Sequence, residues 1–396
     1  VSLAAERILP PLAEGWVAMP VRYASTCLDG RRVPLNVEER SRRQGEYPYW
    51  GANGIVDGVD EYLFDEPLVL LGEDGAPFFD KTKPVAFFVT GKIWVNNHIH
   101  VLRVAPQFDP RFVAHSLNAT DYGPWIEGST RDKLTQDKMG SILLPTPPLS
   151  LQCAIADYLD RETARLDALV AVKERVLRLL AEKRRALITC AVTRGLDPRA
   201  PLRDSGIPWL GEIPAHWDVM KLKHIASLKS GDFITSDSIA PDGDYPAFGG
   251  NGLRGFTSSF THDGDYILIG RQGALCGNIN YASSRFWASE HAVVVHIRGE
   301  HLFKWLGKLL EVLNLNQFSQ SAAQPGLAVE VIASLGIAVP PLDEQRAIVA
   351  HVSAETAKLD ALRAATERTI SLLRERRAAL IAVAVTGAIN VGEAIT

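Results

Sequence analysis

Residues 148–193 recur as residues 341–386 at a constant spacing of 193, without a gap, and 25 of the 46 aligned positions are identical. Thr163-Ala164 and Leu166-Asp167-Ala168-Leu169 return as Thr356-Ala357 and Leu359-Asp360-Ala361-Leu362. Any fold for this chain must therefore contain one unit twice. Upstream the copies stay recognisable while the spacing drifts. Tyr47-Pro48-Tyr49-Trp50-Gly51-Ala52-Asn53-Gly54 answers to Tyr245-Pro246-Ala247-Phe248-Gly249-Gly250-Asn251-Gly252, and the segment from Trp94 to His98 answers to that from Trp287 to His291. Each unit is a variable segment followed by a shared tail.

The tail has the pattern of one long helix. Leu159, Leu166, Leu180 and Leu187 fall on a seven-residue grid, which Val352, Leu359, Leu373 and Leu380 repeat, as in the seam of a coiled coil. Lys173 and Thr366 interrupt the grid, as register or partner devices do. Pro147-Pro148 and Pro340-Pro341 stop what precedes, and Ser150 or Asp343 is expected to cap the first turn. A helix over residues 151–190 is roughly 60 Å long at 1.5 Å per residue. Nothing that long buries its seam on one compact domain, so the two tails are expected to pack on each other, antiparallel about a pseudo-two-fold, with one variable domain at each end. The variable segments mix short apolar runs of strand length (Leu68 to Leu71, Val85 to Val89, Tyr266 to Ile269, Ala292 to Ile297) with amphipathic helices around Phe112 to Leu117 and Leu302 to Leu313. The expected class is α+β, two mixed α/β domains joined by two long antiparallel helices. The divisions are residues 1–147, 148–193, 194–340 (a proline-bearing linker, then the second domain), 341–386 and a tail of 387–396.

Composition removes several classes of function. The 396 residues carry a net charge of -4 and are 46% hydrophobic, which excludes disorder and small disulfide scaffolds. Cys27, Cys153, Cys190 and Cys276 form no CxxC pair, so a reducing, cytoplasmic setting is expected. No membrane span or export signal is legible. There is no GxxxxGK[ST] loop, no GxGxxG after a strand and no DPPY or NPPF tetrapeptide of the kind amino-methyltransferases use. His98 and His100 alternate as two residues on one strand face do, but the second copy keeps only His291, so a structural role outweighs a metal site. Asp60-Glu61 and Asp65-Glu66 read as solvated loop carboxylates. No catalytic constellation or metal site emerges. Two similar modules on a rigid spacer suit a bivalent reader of an extended ligand, with duplex DNA carrying two half-sites the leading candidate.

The Tyr-Pro-x-aromatic-Gly-x-Asn-Gly segments carry a family resemblance. So do Gly72-Glu73-Asp74-Gly75 with its counterpart Gly270-Arg271-Gln272-Gly273, Trp94-Val95-Asn96-Asn97-His98, and Pro-Pro-Leu-x-x-Gln ahead of each long helix. Together with Ser205-Gly206-Ile207-Pro208-Trp209-Leu210-Gly211-Glu212-Ile213-Pro214 and His216-Trp217, they resemble the specificity subunit of type I restriction-modification systems over nearly the whole chain. The resemblance implies a non-catalytic chain with two target recognition domains, each reading one part of a bipartite asymmetric sequence in double-stranded DNA. It implies helices that set the spacer and dock two modification subunits through the seam at Leu159, Leu166, Leu180, Leu187, Val352, Leu359, Leu373 and Leu380. It implies that S-adenosylmethionine, ATP and Mg belong to the modification and restriction subunits, with no cofactor on this chain. Departures are an abbreviated N-terminus with Trp16 but no Ile-Pro lead-in, and Arg131-Asp132-Lys133-Leu134-Thr135 where the second copy has Gln324-Pro325-Gly326-Leu327. A protein-only coiled-coil adaptor and a fragment of a fused restriction enzyme are the competing readings.

Candidate DNA contacts follow from residue chemistry. Arg31, Arg32, Arg40, Arg42 and Arg43 form the densest basic cluster and are read as phosphate contacts. The second copy has only the scattered Lys221, Lys223, Lys229, Arg254 and Arg271, while Lys133 adds a cation to the first. At the matched turn, Glu73-Asp74 stands where the other copy has Arg271-Gln272. These side chains suit cytosine, guanine and adenine edges respectively, or else they stabilise a glycine turn.

Overall fold

The computed structural model describes residues 11–126, 132–273, 275–319 and 326–389. The fold is α+β and divides into two compact units. One comprises Val1–Arg175 with Thr366–Thr396, the other Val176–Ala365. The division cuts both long helices, whereas the sequence divisions keep each tail whole.

In the first unit, one antiparallel sheet runs Ser25–Cys27, Ile99–Val104, Leu68–Gly72, Ala86–Val89. A second runs Gly54–Val59, Gln44–Gly51, Lys92–Val95, Phe64–Asp65. Its central pair is parallel, with Tyr49 opposite Trp94 and Trp50 opposite Val95. Leu68–Gly72 is apolar throughout because both its faces are covered. Leu68 and Leu70 pack with Phe64, Ile93 and Val95 of the other sheet. Val69 and Leu71 point the opposite way, onto Val113, Ala114 and Leu117 of the helix Pro110–Ala119 and onto Met139 and Ile142.

The second unit repeats the topology. Its sheets run Ala226–Ser230, Ala292–Ile297, Tyr266–Gly270, Ile279–Ala282 and Gly252–Thr257, Tyr245–Gly249, Arg285–Ala288, His262–Asp263, again with one parallel pair. Leu268 and Val294 face Phe286 and Ala288, while Ile267, Ile269, Val293 and Val295 share a core with Trp305, Leu306 and Leu309 of the helix Phe303–Val312. In each unit the strand that opens the variable domain pairs with the strand that leads into a long helix, Val17–Pro20 with Leu143–Thr146 and Asp218–Lys221 with Gly336–Val339. The intervening Leu202–Asp204 and Glu212–Pro214 form a small ladder of their own.

The central helix spans Leu149–Arg194 and the C-terminal helix Leu342–Val385. In the first unit, Ile155, Ala156 and Leu159 bury against Phe112 and against Ile381, Ala384 and Val385. Glu174 pairs with Arg374 at 2.9 Å and Asp167 with Arg377 at 3.0 Å, so the segments run in opposite senses. The second unit mirrors this with the repeat-equivalent residues. Ile348 and Val352 join Ile188, Ala191 and Val192, and Arg184 bonds Asp360 at 2.7 Å. Full burial of each such aliphatic side chain contributes roughly 1.5–3 kcal/mol. The exposed ion pairs contribute far less.

Ser150 and Asp343 lie inside the first turn and do not cap it, because the helices begin at Leu149 and Leu342. The buried Gln152 and Gln345 organise these helix starts instead. Gln152 Oε1 accepts from the Asp109 amide at 3.0 Å and its Nε2 donates to the Pro147 carbonyl at 2.9 Å. Gln345 does the same with the Leu302 amide and the Pro340 carbonyl. That geometry gives Pro-Pro-Leu-x-x-Gln its physical meaning: proline ends the strand, and the glutamine ties helix start to domain.

Candidate nucleic-acid interface

The glycine frames of the two variable domains are close-approach devices. A Cβ on Gly270 would lie 2.1 Å from the Gly250 carbonyl oxygen, and one on Gly72 would lie 2.3 Å from Ala76 Cβ and 3.2 Å from the Ala52 oxygen. Each turn is pinned from two sides. Glu73 N–H donates to His98 O and Leu134 N–H to Glu73 O, and likewise Arg271 N–H donates to His291 O and Leu327 N–H to Arg271 O. Asp74 bridges Lys133 as Gln272 bridges Gly326, so the divergent 133–134 and 326–327 segments occupy one structural role. Arg131, Gln324 and Pro325 lie outside the described residues.

The arginines read as phosphate contacts are paired with carboxylates of their own domain. Arg31 bonds Glu66 at 3.4 Å and lies 4.5 Å from the Phe64 ring centroid. Arg40 bonds Asp57 at 3.2 Å and the Leu35 carbonyl, Arg42 bonds Glu38 at 2.5 Å, and Arg43 bonds Asp60 at 3.0 Å and Glu61 at 2.6 Å. Arg31, Arg40 and Arg43 thus hold the 29–43 segment against the sheets, through Asp57 and through Asp60, Glu61 and Glu66, which sequence alone leaves as solvated loop carboxylates. Arg42 stays 75% exposed and Arg31 50%.

Arg32 and Glu73 turn inward. Arg32 Nη1 donates to Glu73 at 2.6 Å and to the Ile99 carbonyl at 2.8 Å. Beside them the buried His100 places Nδ1 2.6 Å from Asp29 and Nε2 2.9 Å from the Leu134 carbonyl. Burial pushes the Asp29 carboxyl pKa up, but the bond and charge of His100, the Val101 amide and Arg32 outweigh it and leave it below the ordinary carboxylate value. Cys27, Asp29 and His100 have metal-like proximity. Both imidazole nitrogens are engaged, however, and burial pushes the Cys27 thiol up to about 11, so the trio serves as a hydrogen-bonded staple. His98 sits in the corner before the strand and pairs with Asp74 at 3.2 Å, so the two histidines do not share a strand face.

Other candidates remain at the surface. Lys133 is half exposed, 3.6 Å from Glu73. Gln272 is exposed, and Arg271 donates to Ser230 Oγ at 3.2 Å. Arg254 is exposed and, among the described residues, has no ion-pair or hydrogen-bond partner. The helix seam is engaged within the chain: Leu159 and Leu166 are buried, and Leu180, Leu187, Leu359, Leu373 and Leu380 are half-buried. Among the described residues of the two helices, the large apolar side chains that face outward are Leu149, Leu169, Val172, Leu179, Leu362 and Leu372. Among the described residues no helix is long and apolar enough to cross a membrane.

The sequence profile described as "Type I restriction modification DNA specificity domain" matches residues 29–176 and again 214–370. The chain belongs to that family. The type I restriction enzyme EcoprrI specificity subunit of Escherichia coli is 41% identical over 133 residues, 33% of each chain. A putative type I specificity subunit of Haemophilus influenzae is 35% identical over 145 residues, 37% of each chain. These matches span about a third of the length of either relative. A weaker similarity, 21% over 377 residues and 85% of this chain, reaches the MjaVIII specificity subunit of Methanocaldococcus jannaschii. One chain of a solved type I restriction-modification assembly superposes with a TM-score of 0.66 at 18% identity, covering 96% of this chain and all of that one, a likeness of fold. Both specificity-domain matches contain a glycine frame, its pinned turn and the start of a long helix.

Proposed function

We propose that this chain is the DNA sequence-specificity subunit of a type I restriction-modification complex, each domain reading one half of a bipartite asymmetric duplex target. The observation that carries the reading is one scaffold presented twice with different side chains at matched positions. The turn that carries Glu73-Asp74 in one domain, with Glu73 held inward by Arg32, carries Arg271-Gln272 in the other on the same backbone bonds, Gln272 facing solvent. A scaffold kept constant while its surface changes suits two unlike half-sites. In this reading the chain is non-catalytic and cytoplasmic, and two modification subunits bring S-adenosylmethionine and adenine methylation. Restriction subunits, with ATP and Mg, complete the complex.

The exposed helix residues support a count of two partners. Leu169 and Leu362 are repeat equivalents, as are Leu179 and Leu372, so each unit offers one residue of each kind. Two copies of one modification subunit fit two copies of one apolar pair. The internally neutralised arginines fit a division of labour in which partners supply the positive field that holds DNA. The test is co-expression with the cognate modification subunit in a methylation-free host, followed by methylome sequencing. A split asymmetric methylated motif is expected, and a stable complex that adds no methylation would overturn the reading.

A further inference from the structure

On one flank of the second unit, the turn after the Gly270–Gly273 frame, the edge strand Ile279–Ala282 and the 314–316 corner wall a cavity of about 360 Å³ lined by Asn278, Asn280, Asn314 and Asn316. It shares Glu311 and Asn314 with a wider groove of about 680 Å³ bordered by Arg184 and Arg185. Asn278 donates to Asn251 at the hairpin tip at 3.3 Å. Asn280 Nδ2 is buried without a hydrogen-bond partner, and its Oδ1 lies 2.9 Å from where a Cβ on Gly252 would stand. The Asn314 and Asn316 amides have no partner among the described residues, and Asn314 takes a left-handed backbone, φ 47°. The one carboxylate, Glu311, is answered by Lys308 at 2.7 Å and by the Tyr281 hydroxyl at 2.8 Å.

The first unit does not share this surface. Strand register places Phe87 opposite Leu70 as Asn280 is placed opposite Leu268, and Phe87 packs on Trp50 at 5.3 Å. At the spacing of the repeat, Asn314 and Asn316 become Asp121 and Gly123. The amides are thus a property of one copy on a common scaffold, as a specificity determinant should be. Asparagine amides pair bidentately with adenine N6 and N7, and an unpaired arginine beside them suits a phosphate. Arg185 is exposed and has no partner among the described residues, whereas Arg184 is held by Asp360.

We propose that this asparagine-lined groove is where the second domain reads its half-site, its amides contacting adenine edges of the duplex and Arg185 an adjacent phosphate. The proposal rests on the DNA-specificity reading and deepens it. The experiment places Asn278→Ala with Asn316→Ala, both exposed positions, in the complex with modification subunits and maps methylation genome-wide. One half of the motif is expected to become degenerate at an A·T position, with discrimination falling roughly tenfold or more, while the other half stays intact. Asn314→Gly keeps the left-handed backbone and gives the same readout if the double variant does not assemble. Arg185→Ala is expected to lower methylation evenly without changing the motif. An unchanged motif in both asparagine variants overturns the proposal alone. A wild-type complex that methylates no split motif overturns the functional reading with it.

Discussion

One buried amide at the start of each long helix holds three separate pieces of backbone together. Replacing Gln345 by alanine leaves the Leu302 amide and the Pro340 carbonyl unpaired in the interior. The expected cost is about 2–4 kcal/mol, read as a lower denaturation midpoint for the second unit, with Gln152→Ala doing the same to the first. Asp29 gives a pH-dependent test. Because its folded pKa is depressed, its contribution is complete above the ordinary carboxylate pKa, about 3.9, and is lost as the pH falls through the lower folded value. Asp29→Asn is therefore expected to be less stable at neutral pH and to show a flatter loss of stability in acid, measured by thermal melts across that window. These residues differ in how legible they are from sequence. The glutamine stands inside a motif that appears twice, whereas nothing marks Asp29 as the partner of His100 until the strands are paired.

At the scale of elements, the helices were legible because a seven-residue apolar period survives 46 residues of chain, and the inner strands because both of their faces are apolar. The closing strands Val17–Pro20 and Asp218–Lys221 were not: each is four residues long, and they pair only with segments far along the chain. The pairing of the arginine cluster was hidden in the same way. Charge in a sequence has no direction, and the carboxylates that neutralise Arg40 and Arg43 lie a full hairpin away. The seam was legible as a seam, but its partner proved to be the other helix segment of the same unit. The proposed docking is tested at residues off the seam. Leu169→Asp with Leu362→Asp is expected to leave the melting temperature nearly unchanged, since both side chains are exposed, and to abolish co-purification of the modification subunit. Substituting one site alone is expected to leave a complex with a single modification subunit, resolved by native mass spectrometry.

For the whole molecule, the two units differ in continuity. The second is one uninterrupted stretch, Val176–Ala365, while the first is assembled from two pieces that enclose it in sequence. A chain truncated after Ala365 is expected to yield a protease-resistant core from the second unit and to lose the first. Limited proteolysis with mass spectrometry checks this, and equal resistance of both units would count against the division. The same discontinuity acts during synthesis. Ile155 and Leu159 leave the ribosome more than two hundred residues ahead of Ile381, Ala384 and Val385, which must cover them. Domains generally close in the order they are made. Here the unit made earlier waits on helix residues made later, so a chain that stops before Ile381 is expected to keep an apolar stripe bare, read as binding of a hydrophobic dye by the truncated protein.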